Sequence, residues 1–208
     1  ADLCPWPGHW TVSGIGTVTD EPRENVLRLM HLDVGGKRRP LNLAFQAARA
    51  GVSGLRVIID GSCLGDFEMG TQVQAIALIE ALARHPQISY LGVGIANADL
   101  PSYAHGLLRL PNVHVRQAPG LDFASFPHVD IIHVPYQPGP LPWSQWTEVS
   151  HRIVVTIQDL IAYDNASYHS NFDAWMQQRD AITEGVERAD LVVAISPDVR
   201  SAIQDACL

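Results

Sequence analysis

Long apolar runs are missing from this chain: nothing in its 208 residues approaches the roughly 18 consecutive apolar residues that a membrane-spanning helix requires. No basic start followed by an apolar core opens the sequence either, so a cytoplasmic protein is expected, with peripheral membrane contact left open. Basic residues are scarce. Fourteen Lys and Arg stand against 22 Asp and Glu, a net charge of −8, and the only basic run is Lys37-Arg38-Arg39. A nucleic-acid surface needs a basic face, so no nucleic-acid partner is expected. The three cysteines, Cys4, Cys63 and Cys207, lie far apart without CxxC spacing, which argues against a disulfide framework and a zinc site and leaves free thiols. No GxGxxG and no G-x-S-x-G elbow occurs, which disfavours a dinucleotide-binding oxidoreductase or an elbow-type hydrolase.

What is present is a rhythm. Hydrophobic residues make up 47% of the chain, enough for a real core. Short Val- and Ile-rich runs at Leu55–Asp60, Tyr90–Ala96, Val113–Arg116, Asp130–Val134, Ile153–Ile157 and Leu191–Ile195 read as strands. Several are too continuously apolar for a sheet with one wet face. Between the first two, Ala75, Leu78, Ile79 and Leu82 fall at helical spacing in Thr71–His85, and Pro86 stops the run. Between the last two, Phe172, Trp175, Met176, Arg179, Ile182, Val186 and Ala189 share one side of a helix over Phe172–Ala189. Alternation of this kind implies an α/β domain over residues 54–208, a Rossmann-like parallel sheet with helices on both faces. Ligands of such sheets sit beyond the carboxyl ends of the strands.

Residues 1–53 differ. They are turn-rich at Cys4-Pro5-Trp6-Pro7-Gly8 and Val12-Ser13-Gly14-Ile15-Gly16, ambiguous between strand and short helix at Asn25–Leu32, and helical at Leu41–Ala50 before Gly51. They read as an extension or as the end of an upstream domain, without an assigned function. The chain starts at Ala1 and stops at Leu208, inside a helix begun by Ser196-Pro197, so a piece of a longer polypeptide is expected.

Four strand ends carry polar chemistry. "GSCLGDFEMGT" follows the first strand and leads into a helix, where backbone N–H groups could meet a phosphate; Asp66 and Glu68 oppose that, and an ordinary connecting loop serves as well. "DIIHVPYQPGP" delivers His133, whose neutral imidazole could bond a hydroxylated substrate or simply be a satisfied core histidine. Tyr136, Trp143 and Trp146 offer ring faces to a sugar, or fill the core. "VVTIQDL" ends in Gln158-Asp159, with Asp159 also suited to capping the next turn. "ADLVVAISPDVRSAI" ends in Ser196, whose helix capping alone would explain it.

In this order and spacing, "LRVIIDGSCLGDFEMGTQVQAIALIEALARH", "DIIHVPYQ", "VVTIQDL" and "RADLVVAISPDVRSAI" resemble the N-terminal half of family 4 glycosyltransferases, retaining enzymes of the GT-B fold. The resemblance covers roughly residues 54–208 and rests on the combination of motifs. It implies donor-phosphate loop positions at Gly65, Gly70 and Thr71, catalytic-site positions at His133, Gln158 and Asp159, and acceptor-binding positions at Tyr136, Trp143 and Ser196. Gln158 stands where the family usually has histidine, and the loop is longer and more acidic than the common GGxG form. The resemblance further implies a UDP- or GDP-sugar donor held mainly by a C-terminal GT-B domain, a sugar or glycan acceptor held by this half, no bound metal or cofactor in this fragment, and no transfer by the fragment alone. A glycan-binding module with a degenerate site is the alternative reading.

Overall fold

The computed structural model describes residues 54–206 and 208, together with the backbone of residues 33–34 and 37–38. The elements expected at Asn25–Leu32 and Leu41–Ala50 lie outside the described residues. The chain divides between Ser53 and Gly54. In the first unit, Asp33–Val34 pairs antiparallel with Lys37–Arg38, so two residues of the basic run belong to a short strand.

The second unit is a six-stranded sheet, parallel throughout. Its strands are β1 (Leu55–Asp60), β2 (Ile88–Ile95), β3 (Val113–Gln117), β4 (Val129–Val134), β5 (Ser150–Ile157) and β6 (Leu191–Ala194), in the order β3-β2-β1-β4-β5-β6. Strand order reverses between β1 and β4, which is the point where such sheets open a crevice. The helices are α1 (Gly70–Arg84), α2 (Trp143–Val149), α3 (Ile161–Asp164), α4 (Phe172–Arg188) and α5 (Pro197–Asp205). The apolar runs have the cause expected of them: Ile58, Ile59, Leu91, Val93, Ile132, Val155 and Ile157 have no accessible surface.

Register sorts the core. Ile58 pairs with Ile132 and Ile132 with Ile153, so these residues share a face, and on it Phe123, Phe126, Trp143 and Trp146 form the central cluster. Phe123 stacks on Trp146 at 5.3 Å and meets Phe126 edge-on at 5.7 Å. These rings fit because β2 puts Gly92 and Gly94 on that same face, opposite Ile58 and Asp60. A Cβ on Gly92 would lie 2.8 Å from the Phe126 ring, and one on Gly94 would enter the Phe123 ring. On the other side α1 packs against β2, with Ala75 and Ile79 buried.

Several short elements were not apparent in the sequence. Ser102–Arg109 forms 3-10 turns, Ile161–Asp164 forms a single helical turn, and Trp143–Val149 forms a helix that buries both of its tryptophans. Seven residues after a proline-rich segment give too little periodicity to read. β5 also starts earlier than its apolar run, because Ser150, His151 and Arg152 continue the strand into the polar lower edge.

Replacing Gly94 by alanine should destabilise the domain by about 1–3 kcal/mol, the usual cost of overpacking a closed site. Gly106→Ala, where a Cβ meets nothing within 4 Å, is the control. Urea unfolding of both variants checks it; equal midpoints would mean that the aromatic rings do not occupy the glycine positions.

Candidate functional site

Parallel strands deliver their last residues to one edge, and at the switch point these come from β1, β4 and β5. Asp60 ends β1 with no accessible surface. Its Oδ2 accepts from the Tyr136 hydroxyl at 2.5 Å and its Oδ1 from the Ser62 amide at 2.9 Å. Burial raises the Asp60 carboxyl above its ordinary pKa, while the bonds from Tyr136 and Ser62 pull the other way. Tyr136 is pushed up by burial and then by the adjacent Asp60, which keeps its phenol a donor. Cys63, in the same loop, is pushed up to about 12 by burial and then by Asp60, so it stays a thiol rather than a nucleophilic thiolate. Ser62 Oγ is buried beside them without a well-formed hydrogen bond.

The other side of the sheet holds a second group. His133 lies one residue before the end of β4, opposite Ile59 and Val154, and its Nε2 meets Thr156 Oγ1 at 2.9 Å. Burial holds its pKa down to about 4, so the imidazole is neutral at physiological pH. Gln158 leaves the end of β5 and is gripped by α1: its Oε1 accepts from Thr71 Oγ1 at 3.1 Å, and its Nε2 donates to Gln74 Oε1 at 2.8 Å. Gln137 Nε2 donates to the Asp159 carbonyl at 2.6 Å, joining the loops after β4 and β5.

The structure thus brings Thr71 and Gln158 into direct contact, with His133 near the end of the neighbouring strand β4 and Asp159 following Gln158 in the loop after β5. Asp159 is exposed, and its Oδ1 caps the following turn by accepting from the Ile161 amide at 3.0 Å. Ser196 caps α5 through the Val199 amide at 3.2 Å, two residues beyond β6, one of the sheet's two edge strands. Gly65 is held at its carbonyl by the Tyr103 hydroxyl at 2.6 Å. A side chain at Gly65 or Gly70 would meet no protein atom within 4 Å, so neither glycine is required by packing. At the start of α1 the Met69 amide donates to Gln72 Oε1 at 3.1 Å. Tyr136 is half-buried and tied to Asp60. Trp143, expected to offer a ring face to an acceptor, is 7% exposed and packs against Trp146 in the core, so its faces are closed to a sugar.

Sequence reasoning passed over Asp60, Thr156, Gln74 and Gln137. For Asp60 a signal existed: one carboxylate closing an otherwise apolar strand at its carboxyl end must find donors. Among the described residues no group of three or more His, Cys, Asp or Glu is arranged to hold a metal ion, and no helix is long and apolar enough to cross a membrane. No family model matches the chain, and a search of curated proteins returns no match.

Because His133 has a lower pKa folded than unfolded, the unfolded chain binds the proton more tightly between about 6.5 and 4. The contribution of His133 to stability should therefore fall as pH drops through that window, with a slope of up to about 1 kcal/mol per pH unit. His133→Gln, which can still reach Thr156, should flatten the curve by that amount in urea titrations run across the window. Parallel curves for variant and wild type would show that the imidazole is open enough to titrate normally.

Proposed function

We propose that residues 54–208 are the acceptor-side domain of a retaining glycosyltransferase that moves a sugar from a UDP- or GDP-sugar to a glycan or other acceptor. The observation that carries the reading is the meeting, at the switch point of a 3-2-1-4-5-6 parallel sheet, of a neutral histidine, a strand-end amide and a helix start with open glycines. A neutral His133 can bond a sugar hydroxyl without carrying charge into the crevice. Gln158 cannot exchange protons near neutral pH, so its part is orientation: it fixes the start of α1 against the end of β5. In retaining transfer of this type the leaving phosphate takes the acceptor proton on the face it departs from, and no base is needed at Gln158. Gly65, Gly70 and Thr71 would border the donor phosphates, whose principal grip belongs to a C-terminal GT-B domain. A glycan-binding module without turnover is favoured by one observation, that Gln158 already spends its amide on Thr71 and Gln74.

Both readings are tested together. The 208-residue chain alone should show no saturable binding of UDP- or GDP-sugars near micromolar concentration, about −8 kcal/mol. Joined to the donor-gripping domain, Gln158→His should keep kcat/KM within about tenfold, roughly 1.4 kcal/mol in the barrier. Gln158→Ala should cost about 1–3 kcal/mol, because it strands Thr71 and Gln74. Micromolar donor binding by the chain alone would overturn the division of labour, and wild-type turnover in Gln158→Ala would remove the amide from the site.

A further inference from the structure

The stripe on α4 changes character along its length. At the carboxyl half of the helix Ile182 and Val186 are buried in the core with Ile157 and Tyr163. At the amino half the same stripe continues as Phe172, 64% exposed, Trp175, half-buried, Met176, 36% exposed, and Arg179. With successive residues turned by about 100°, these four fall within one face, while Asp173 and Asp180 sit about 100° round from it. The helix returns the chain from the end of β5 to the start of β6, so its amino half stands at the crevice edge of the sheet. Two contacts join it to the loop after β4: Gln178 Nε2 donates to the Pro138 carbonyl at 3.0 Å, and Gly185 lies against the Pro138 ring.

Arg179 is the polar member of this surface. Its guanidinium lies over the Tyr163 ring at 4.1 Å and beside the Trp175 ring at 5.1 Å. Trp175 is fixed in turn by Nε1 donating to the Tyr163 carbonyl at 2.9 Å, and Phe172 meets it edge-on at 5.6 Å. The one protein hydrogen bond of the guanidinium is long, 3.4 Å to the Tyr163 carbonyl, and among the described residues no carboxylate lies within salt-bridge distance. A half-buried guanidinium beside two aromatic rings, with no carboxylate paired to it among the described residues and with Phe172 and Met176 exposed alongside, matches a ligand with an apolar face and a carboxylate.

We propose that Phe172, Trp175, Met176 and Arg179 form an acceptor subsite for a sugar ring bearing a carboxylate, a proposal that rests on the acceptor-side reading above. The sugar's C–H face covers Phe172 and Met176, and its carboxylate bonds Arg179. The test is titration of the 208-residue chain with galacturonate trisaccharide, read by tryptophan fluorescence. Saturation is expected with Kd below about 1 mM, and maltotriose, a neutral α-1,4-linked trisaccharide, should bind at least about tenfold more weakly. Arg179→Gln should weaken binding about tenfold or more, Arg179→Lys should restore part of it, and Phe172→Ala, at an exposed site, should weaken it several-fold with an unchanged Tm. Equal affinity for maltotriose, displacement by equimolar inorganic phosphate, absence of saturation, or full affinity in both Arg179→Gln and Phe172→Ala would overturn the proposal. Arg179-dependent binding in a chain whose completed form transfers no sugar would refute the transferase reading and leave the subsite standing. Transfer without this binding would do the reverse.

Discussion

The central strands of this sheet are covered on both faces and meet water chiefly at their ends, and the polar chemistry of this domain is sorted by that constraint. Main-chain groups inside the sheet are satisfied by the ladders, whereas the last residue of each strand must find partners among the connecting loops. Asp60 takes the Ser62 amide and the Tyr136 hydroxyl, His133 takes Thr156, and Gln158 takes Thr71 and Gln74. The carboxyl ends of the strands therefore carry side chains already oriented by one another. The lower edge answers the same need differently: Asp130 accepts from the Arg56 amide, and Asp190 from the Ile153 amide while pairing with Arg152. One set of bonds closes the bottom of the sheet and the other shapes its top.

The strands were legible because continuous β-branched runs have few other uses. β1 ends where its sequence pattern ends, and the remaining strands differ by a few residues at edges where polarity changes. α1 and α4 were legible from helical spacing, although the α4 stripe says nothing about which of its residues the core reaches: Ile182 is buried, and Phe172, ten residues earlier on the same face, is not. Trp143 shows the limit on the other side. A tryptophan near a strand end fits a sugar platform and a core wedge equally well, and only the Phe123 and Trp146 rings around it decide.

The candidate site was legible as positions rather than partners. His133, Gln158 and Asp159 could be picked out as polar residues at or just beyond the ends of buried strands, but the bonds of Gln158 reach across more than 80 residues to α1. Such pairings depend on strand order, which local pattern does not encode. Asp60 was hidden for the opposite reason. It looks like a turn residue, and its significance comes from a tyrosine 76 positions away.

The two glycines of β2 tie distant parts of the chain to a common history. Phe123 and Phe126 fill the space that side chains at Gly94 and Gly92 would take, so neither the strand nor the loop can drift alone. A larger residue in β2 becomes tolerable only after a ring in the loop has shrunk, and a shrunken ring leaves a cavity until the strand fills it. Descendants of this chain are thus expected to change these positions in concert or keep them, and a homologue with alanine at position 94 should carry something smaller than phenylalanine at 123.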